Sequence, residues 1–486
     1  MAEILVKLHV PLGEEIVQLS ILDQQAQRNY ANLLIAMEVD RQGDFDDIID
    51  HLKQGLGLAL CEVPDMASRV MPVSTSKRKE LELHLGPDSA VPFRTINYSN
   101  VGENSINHGS LLLRQRYSDL VHDGFPLADI PEQDLFFPRA TCEDDCPQGL
   151  PALLIQINLI KGGLIVALSW HHSVCDARGI NSLLSSWARH TNAYTTQGIT
   201  TLPKVSGEYM SERWRLSYGS SDADIAIFPD YVVDPSARSP LSRTSPHLLD
   251  RPDHVAATAT MSTWYFTIEA LESLRNAIVG VDPKHKQNFT YSEAVGALIW
   301  KHLSRARLLH QRASQGTSIL ATRVDFRARM NPAFTEEFIG NITEPNARVR
   351  MPIHELCSPS TAQSLLLLAQ SIRDAIMVLD ERAVRDFIGI VEKLSAVTDL
   401  TWDYDTFPGP DLAISDMSSM DIFSLDWGGL LGRPTYVRSG SREKGLAYIL
   451  PRDLDGGFEI QLQCEVEAVE RLKNDEIFIQ YAQFRC

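Results

Sequence analysis

Residues 153 to 188 read LLIQINLI KGG LIVALSW HHSVCDARG INSLLSSWA. The first run, 153–160, and the second, 164–170, are rich in β-branched apolar residues, and Lys161-Gly162-Gly163 between them has the length and the glycines of a tight hairpin turn. They predict two adjacent buried strands. Directly afterwards Ile180, Leu183, Leu184, Trp187 and Ala188 fall at i, i+3, i+4, i+7 and i+8, the stripe of a helix that packs on that sheet. A strand, a short turn and a helix therefore frame residues 171–179.

Outward from this unit, the chain of 486 residues is long enough for two or three packing units. Prolines at 203, 229, 235, 240, 246 and 252 leave no room for a long regular element between 202 and 263, which reads as a crossover. The expected organisation is an N-terminal domain over 1–201, the crossover over 202–263 and a C-terminal domain over 264–486. In the second half, Thr290 and Glu293 form a capping box ahead of a helix whose apolar face is Val295, Leu298, Ile299 and Leu303. Residues 360–379 and 382–399 read as two more helices. Phe458, Ile460, Leu462, Cys464 and Val466 alternate as a half-buried strand does, and Val469, Leu472 and Tyr481 belong to a terminal helix. Strands and helices are mixed in both halves, in an order that favours α/β domains with mixed sheets over a simple βαβ repeat.

Composition narrows the function. With 45 Lys and Arg against 63 Asp and Glu the net charge is −18, which repels phosphate backbones and anionic lipid, so nucleic acid is not an expected partner. The seven cysteines, at 61, 142, 146, 175, 357, 464 and 486, contain no C-x-x-C pair and read as reduced thiols of a cytosolic protein. Cys142 and Cys146 flank three acidic residues and read as a surface loop rather than half of a zinc site, and no metal is expected. The termini carry no targeting signal, and the uncharged stretches 146–160 and 162–175 are shorter than the roughly 18 residues of a membrane span.

The residues that carry chemistry are Trp170 to Gly179, W-H-H-S-V-C-D-A-R-G. A histidine at the end of a rigid strand is well placed to accept and return a proton near neutral pH. His172 and Asp176 can share one turn, whereas His171 and His172 point to opposite faces, which argues against both ligating one metal ion. The same residues also fit a plainer reading, two structural histidines and an Asp176 that only caps the following helix.

The sequence resembles the BAHD-type acyl-CoA-dependent acyltransferases, in particular the fungal branch that includes trichothecene O-acetyltransferases. The hallmark H-x-x-x-D matches His172 to Asp176 after the run IKGGLIVALSWHH. The second hallmark, D-F-G-W-G with a following proline, is echoed by Asp426-Trp427-Gly428-Gly429-Leu430-Leu431-Gly432-Arg433-Pro434. Leu19-Ser20-Ile21-Leu22-Asp23-Gln24, Val324-Asp325-Phe326-Arg327-Ala328-Arg329 with Pro332, and Ile339-Gly340-Asn341 echo further motifs in family order. The resemblance implies two chloramphenicol-acetyltransferase-like α/β domains with mixed β-sheets and an active-site channel between them. It implies His172 as general base and an Asp176 that is structural, bridging to Arg327 or, second, to Arg329. Asp426, Trp427 and Gly428 would be a structural motif. Counting back from Asp426 lands on Ile414-Ser415-Asp416-Met417, where the family has I-T-S-W. Ser415 is then the candidate donor to the oxyanion and the pantetheine arm, although it could equally be an ordinary strand hydroxyl. The anionic phosphates of CoA call for local basic groups, for which the candidates are Arg433, Arg438, Arg442 and Lys444, in a turn that otherwise reads as solvated.

Three departures stand out: Ala177 in place of the usual glycine, Met417 in place of tryptophan, and W-G-G-L-L-G in place of F-G-W-G. The expected activity is transfer of an acyl group, acetyl in the first place, from acyl-CoA to a hydroxyl of a small secondary metabolite by direct attack, in a cytoplasmic monomer. An N-acyltransferase, a condensation-type domain fed by a carrier-protein thioester and a binding protein that has lost the chemistry are the alternatives. The missing glycine at 177 and the D-W-G motif favour the free-standing CoA enzyme.

Overall fold

A computed structural model gives the fold; the residues described are all except 1, 40–44, 100–111, 113–114, 139–145, 147, 198–202, 204–211, 238–257, 282–288 and 313–314. Cys142 and much of the predicted crossover lie outside the described residues.

The two runs that open the sequence reading are adjacent antiparallel strands, Leu153–Ile160 and Gly163–His171, with Gly162 at φ +90° in the turn between them. Both strands are buried along their whole length, which is why their sequences are continuous in apolar residues rather than alternating. They sit in the middle of a six-stranded mixed sheet in the order Ala2–Lys7, Ala90–Asn97, Leu153–Ile160, Gly163–His171, Tyr30–Glu38, Tyr436–Ser439. Helix Ala177–Gln197 packs its predicted stripe into the same core, beside helix Phe45–Glu62. The two helices approach closely at Gly55, where a Cβ would lie 2.2 Å from Oγ1 of Thr191.

The second half builds a seven-stranded mixed sheet in the order Ala347–Pro352, Thr317–Thr322, Leu412–Asp416, Leu446–Ile449, Phe458–Glu465, Ala259–Phe266, Gln483–Phe484. Its second, third and fourth strands, Thr317–Thr322, Leu412–Asp416 and Leu446–Ile449, run parallel. Helix Tyr291–Ala306 starts at the predicted capping box, with Thr290 Oγ1 accepting from Glu293 N and Glu293 Oε2 accepting from Thr290 N.

Several boundaries differ from the sequence reading. Strand Ala259–Phe266 begins inside the predicted crossover, and Tyr231–Val233 within it pairs with Leu400–Trp402. The helices expected over 360–379 and 382–399 are Ala362–Met377 and Glu381–Glu392. Val397 keeps the helical spacing but lies in a separate tight turn, where Asp399 Oδ2 accepts from Ala396 N. Val466 opens helix Val466–Lys473 instead of closing the strand, and Tyr481 lies beyond that helix. The sheets also do not follow chain order, because Tyr436–Ser439 from the second half pairs antiparallel with Tyr30–Glu38 of the first.

Candidate active site

His172 is the first residue after the strand Gly163–His171. The alternation of the strand sends its two histidines apart. His171 is buried edge-on to Tyr30 with ring centroids 5.6 Å apart, while His172 is half-buried at the wall of a cavity.

The turn after it is held by Asp176. Its Oδ1 accepts from Gly179 N at 3.0 Å and Arg327 Nη2 at 2.8 Å, and its Oδ2 from Arg327 Nη1 at 3.0 Å and Ile342 N at 3.2 Å. Asp176 therefore caps the helix and forms the ion pair with the same carboxylate. Both side chains are buried, with 4 % of Asp176 and 3 % of Arg327 exposed. Burial alone would raise the Asp176 pKa, but the Arg327 guanidinium overrides it and holds the carboxyl below its ordinary value. Arg329 is not part of this pair: its Nη1 donates to the carbonyls of Ile376 and Leu379.

On the other side of His172 lies Asn341. His172 Nδ1 and Asn341 Oδ1 are 3.2 Å apart, and Asn341 Nδ2 donates to the His172 carbonyl at 2.9 Å. Asn341 in turn is held by the buried Asp23, whose Oδ1 accepts from Asn341 N at 2.7 Å and Nδ2 at 3.0 Å. Arg213, from the predicted crossover, is buried between Asp23 and Asp65 and also donates to the Val174 carbonyl. Asp23 and Asn341 stand in the L-S-I-L-D-Q and I-G-N segments, where the sequence marks no role for them, and no local pattern singles out Arg213.

With Nδ1 turned to Asn341, Nε2 is left for the cavity. The cavity, about 100 Å³, is lined from the six-stranded sheet by Tyr30 and Asn32 and from the seven-stranded sheet by Ala321, Ile414, Ser415 and Tyr448. A smaller one of about 10 Å³ is lined by Leu22, Asn341 and Thr343, and His172, Gln27 and Arg323 line both. His172 thus stands where two cavities meet. Burial, and after it the Arg323 cation, hold the His172 pKa below its ordinary value, against smaller opposite effects of its own carbonyl, Asp176 and Glu443. Burial and Arg323 both favour the neutral imidazole, the form able to accept a proton. Arg323 is itself fixed by an ion pair with Glu344 and lies over the Trp402 ring, 5.0 Å from its centroid.

Ser415 lies on strand Leu412–Asp416, half-buried, and lines the same cavity as His172, with Met417 beside it. The basic candidates divide. Arg438 is excluded as a phosphate ligand: 1 % of its side chain is exposed, it pairs with Glu459, and it donates to the carbonyls of Gly124, Phe125 and Val437. It is a structural cation of the buried strand Tyr436–Ser439. Arg433, Arg442 and Lys444 are exposed; Arg442 also donates to the carbonyls of Leu127 and Ile130, and the Lys444 ammonium lies 5.0 Å from the centroid of the Phe407 ring. Asp426, Trp427 and Gly428 sit away from the chemistry, against helix Ala177–Gln197. Trp427 is buried edge-on to Trp187 at 5.1 Å, and Gly428, at φ +98°, accepts no Cβ because Thr195 Oγ1 would lie 2.8 Å from it.

Comparison with known proteins gives concordant matches. The Transferase family model matches residues 121–478, and the model of the trichothecene 3-O-acetyltransferase-like N-terminal domain matches residues 30–190. Acyltransferase cm3D of Cordyceps militaris is 53 % identical over 99 % of both chains, and acyltransferase easC of Emericella nidulans is 47 % identical over 100 % of this chain and 98 % of its own. Among solved structures, F. graminearum TRI101 complexed with coenzyme A and T-2 mycotoxin superposes with a TM-score of 0.76 at 19 % identity, covering 97 % of this chain and 100 % of its own. Vinorine synthase superposes with a TM-score of 0.63 at 17 % identity, covering 97 % and 95 %. The fold is the two-domain fold of these proteins.

Proposed function

This chain belongs to the Transferase family and is an acyltransferase, and from that premise we propose that it moves an acyl group from CoA to a hydroxyl of a small secondary metabolite, with His172 as general base. The observation that carries the reading is an imidazole that lines both cavities, with burial and Arg323 favouring its neutral form; we assign one cavity to the thioester and the other to the acceptor. The acceptor oxygen attacks the thioester carbonyl carbon as His172 Nε2 takes its proton. Negative charge passes to the carbonyl oxygen, where the Ser415 hydroxyl donates to it. The tetrahedral intermediate collapses, the carbon–sulfur bond breaks, and the imidazolium returns the proton to the CoA sulfur. No acyl-enzyme forms, and His172 ends the cycle neutral.

Arg433, Arg442 and Lys444 are the exposed cations proposed for the CoA phosphates, and acetyl is the first acyl group to test. The six described cysteines are all free thiols, which supports a reducing, cytoplasmic location; a monomeric enzyme is part of the proposal.

Acetyl-CoA added without acceptor raises the melting temperature, as a ligand of the native state alone must. Mass spectrometry of reactions with acyl-CoAs of increasing chain length and hydroxylated or amine acceptors identifies the product. No melting shift with any acyl-CoA, together with acylation from a carrier-protein thioester, would overturn the CoA reading.

A further inference from the structure

We propose that Asn341, anchored by Asp23, is the positioning residue that fixes the His172 imidazole in its Nδ1–H tautomer, so that the lone pair faces the reacting hydroxyl from Nε2. The inference rests on His172 being the base.

Asp176 cannot do this. Each of its two oxygens already accepts two hydrogen bonds, from Gly179 N and Arg327 on one and from Arg327 and Ile342 N on the other. That fills the acceptor capacity of a carboxylate. The aspartate of the H-x-x-x-D pair is fully committed to the turn.

Asn341 is placed to do it, and its own orientation is set by chemistry. Its Nδ2 faces two groups that only accept, the Asp23 carboxylate at 3.0 Å and the His172 carbonyl at 2.9 Å. A flipped amide would set an oxygen against both. The atom left toward the imidazole is therefore Oδ1, which has no hydrogen to give. At 3.2 Å from His172 Nδ1 it requires a proton on that nitrogen. One side chain thus holds the backbone and the ring of His172 together.

The support behind Asn341 is equally committed. Asp23 Oδ1 takes both nitrogens of Asn341, and Oδ2 takes Ser20 N, Ser20 Oγ and Arg213 Nη1. The line Arg213–Asp23–Asn341–His172 joins the crossover, the short helix Ile21–Gln25 and the loop after Phe338 to the base. Its effect is on which nitrogen carries the proton, which fold stability alone does not govern.

The direct readout is the ¹⁵N spectrum of the wild-type His172 imidazole above its pKa, assigned by difference from a His172→Gln variant. The expected pattern is Nδ1 protonated and Nε2 bare; an Nε2-protonated or evenly mixed ring overturns the proposal. In kinetics, Asn341→Ala lowers kcat by about 100-fold, the scale of a misplaced catalytic group, while the Kd for acetyl-CoA stays within about twofold. Asn341→Asp keeps an acceptor but adds charge, and moves the acidic limb of kcat/KM to higher pH by about one unit. The other charges facing the ring, Arg323, Asp176 and Glu443, are unchanged in these variants. A folded Asn341→Ala enzyme with wild-type kcat, or a folded Asn341→Asp enzyme with an unmoved limb, contradicts the proposal. If Asn341→Asp does not fold beside Asp23, the spectrum and the alanine variant decide. A His172→Ala enzyme with full turnover would sink the base assignment and leave the tautomer result standing, so the two failures are distinguishable.

Discussion

At the scale of the residue, the site is governed by which charges face one imidazole. The Arg323 cation disfavours the imidazolium, and the Glu443 carboxylate favours it, with desolvation the largest effect. The acidic limb of kcat/KM should therefore lie below about pH 6.5, the ordinary histidine value. Arg323→Met removes the cation and leaves the Glu344 carboxylate without it, so both changes raise the His172 pKa. The limb moves to higher pH by a few tenths to about one unit, read from kcat/KM between pH 5 and 8; a limb that stays or moves lower contradicts the electrostatic account. His172, Asp176 and Ser415 were legible in the sequence because a strand end, a turn and a motif count place them locally. Asn341 was not, since its contact to His172 spans 169 residues, and its anchor on Asp23 spans 318. Arg438 misled for the converse reason: its exposure was read from a polar neighbourhood, whereas Glu459, on a strand of the other sheet, takes its charge into the interior.

At the scale of the element, the turn 172–176 and the start of helix Ala177–Gln197 depend on one carboxylate. Asp176→Asn leaves the Arg327 guanidinium buried without its partner, which should cost about 3–5 kcal/mol. Arg327→Met strands the carboxylate and should cost a similar amount, so thermal melts of both variants fall well below wild type and soluble yield falls with them. Wild-type melting of Asp176→Asn beside a crippled rate would instead assign Asp176 to the chemistry. The pH dependence has a definite sign. A carboxyl whose folded pKa is depressed adds stability that is present above its unfolded value of about 3.9 and is lost as the pH falls through the folded value. Local periodicity read the hairpin, this helix and the capping box at Thr290 because each is specified by residues within one or two turns. It overran at 393–399, where Leu394 and Val397 keep the apolar spacing but pack as a tight turn in the core around Phe387 and Trp402.

At the scale of the whole molecule, the chain places His172, the proposed base, between two sheets that are tied together. Strand Tyr436–Ser439 crosses from the second half to close the first sheet, and Arg213 reaches from the crossover to Asp23 and Asp65. Sequence periodicity carries no sign of that exchange, because a four-residue strand looks alike in either sheet. The consequence for function is that the cavity walls are built from both sheets and do not rest on the imidazole. His172→Ala should therefore melt near the wild-type temperature and still bind acetyl-CoA. The most direct test of the central claim is the turnover of that variant, followed as CoA release with the acceptor identified by mass spectrometry. General-base catalysis by His172 predicts a fall of about 100- to 10,000-fold. Turnover within threefold of wild type, in a folded protein that binds acetyl-CoA, would contradict it.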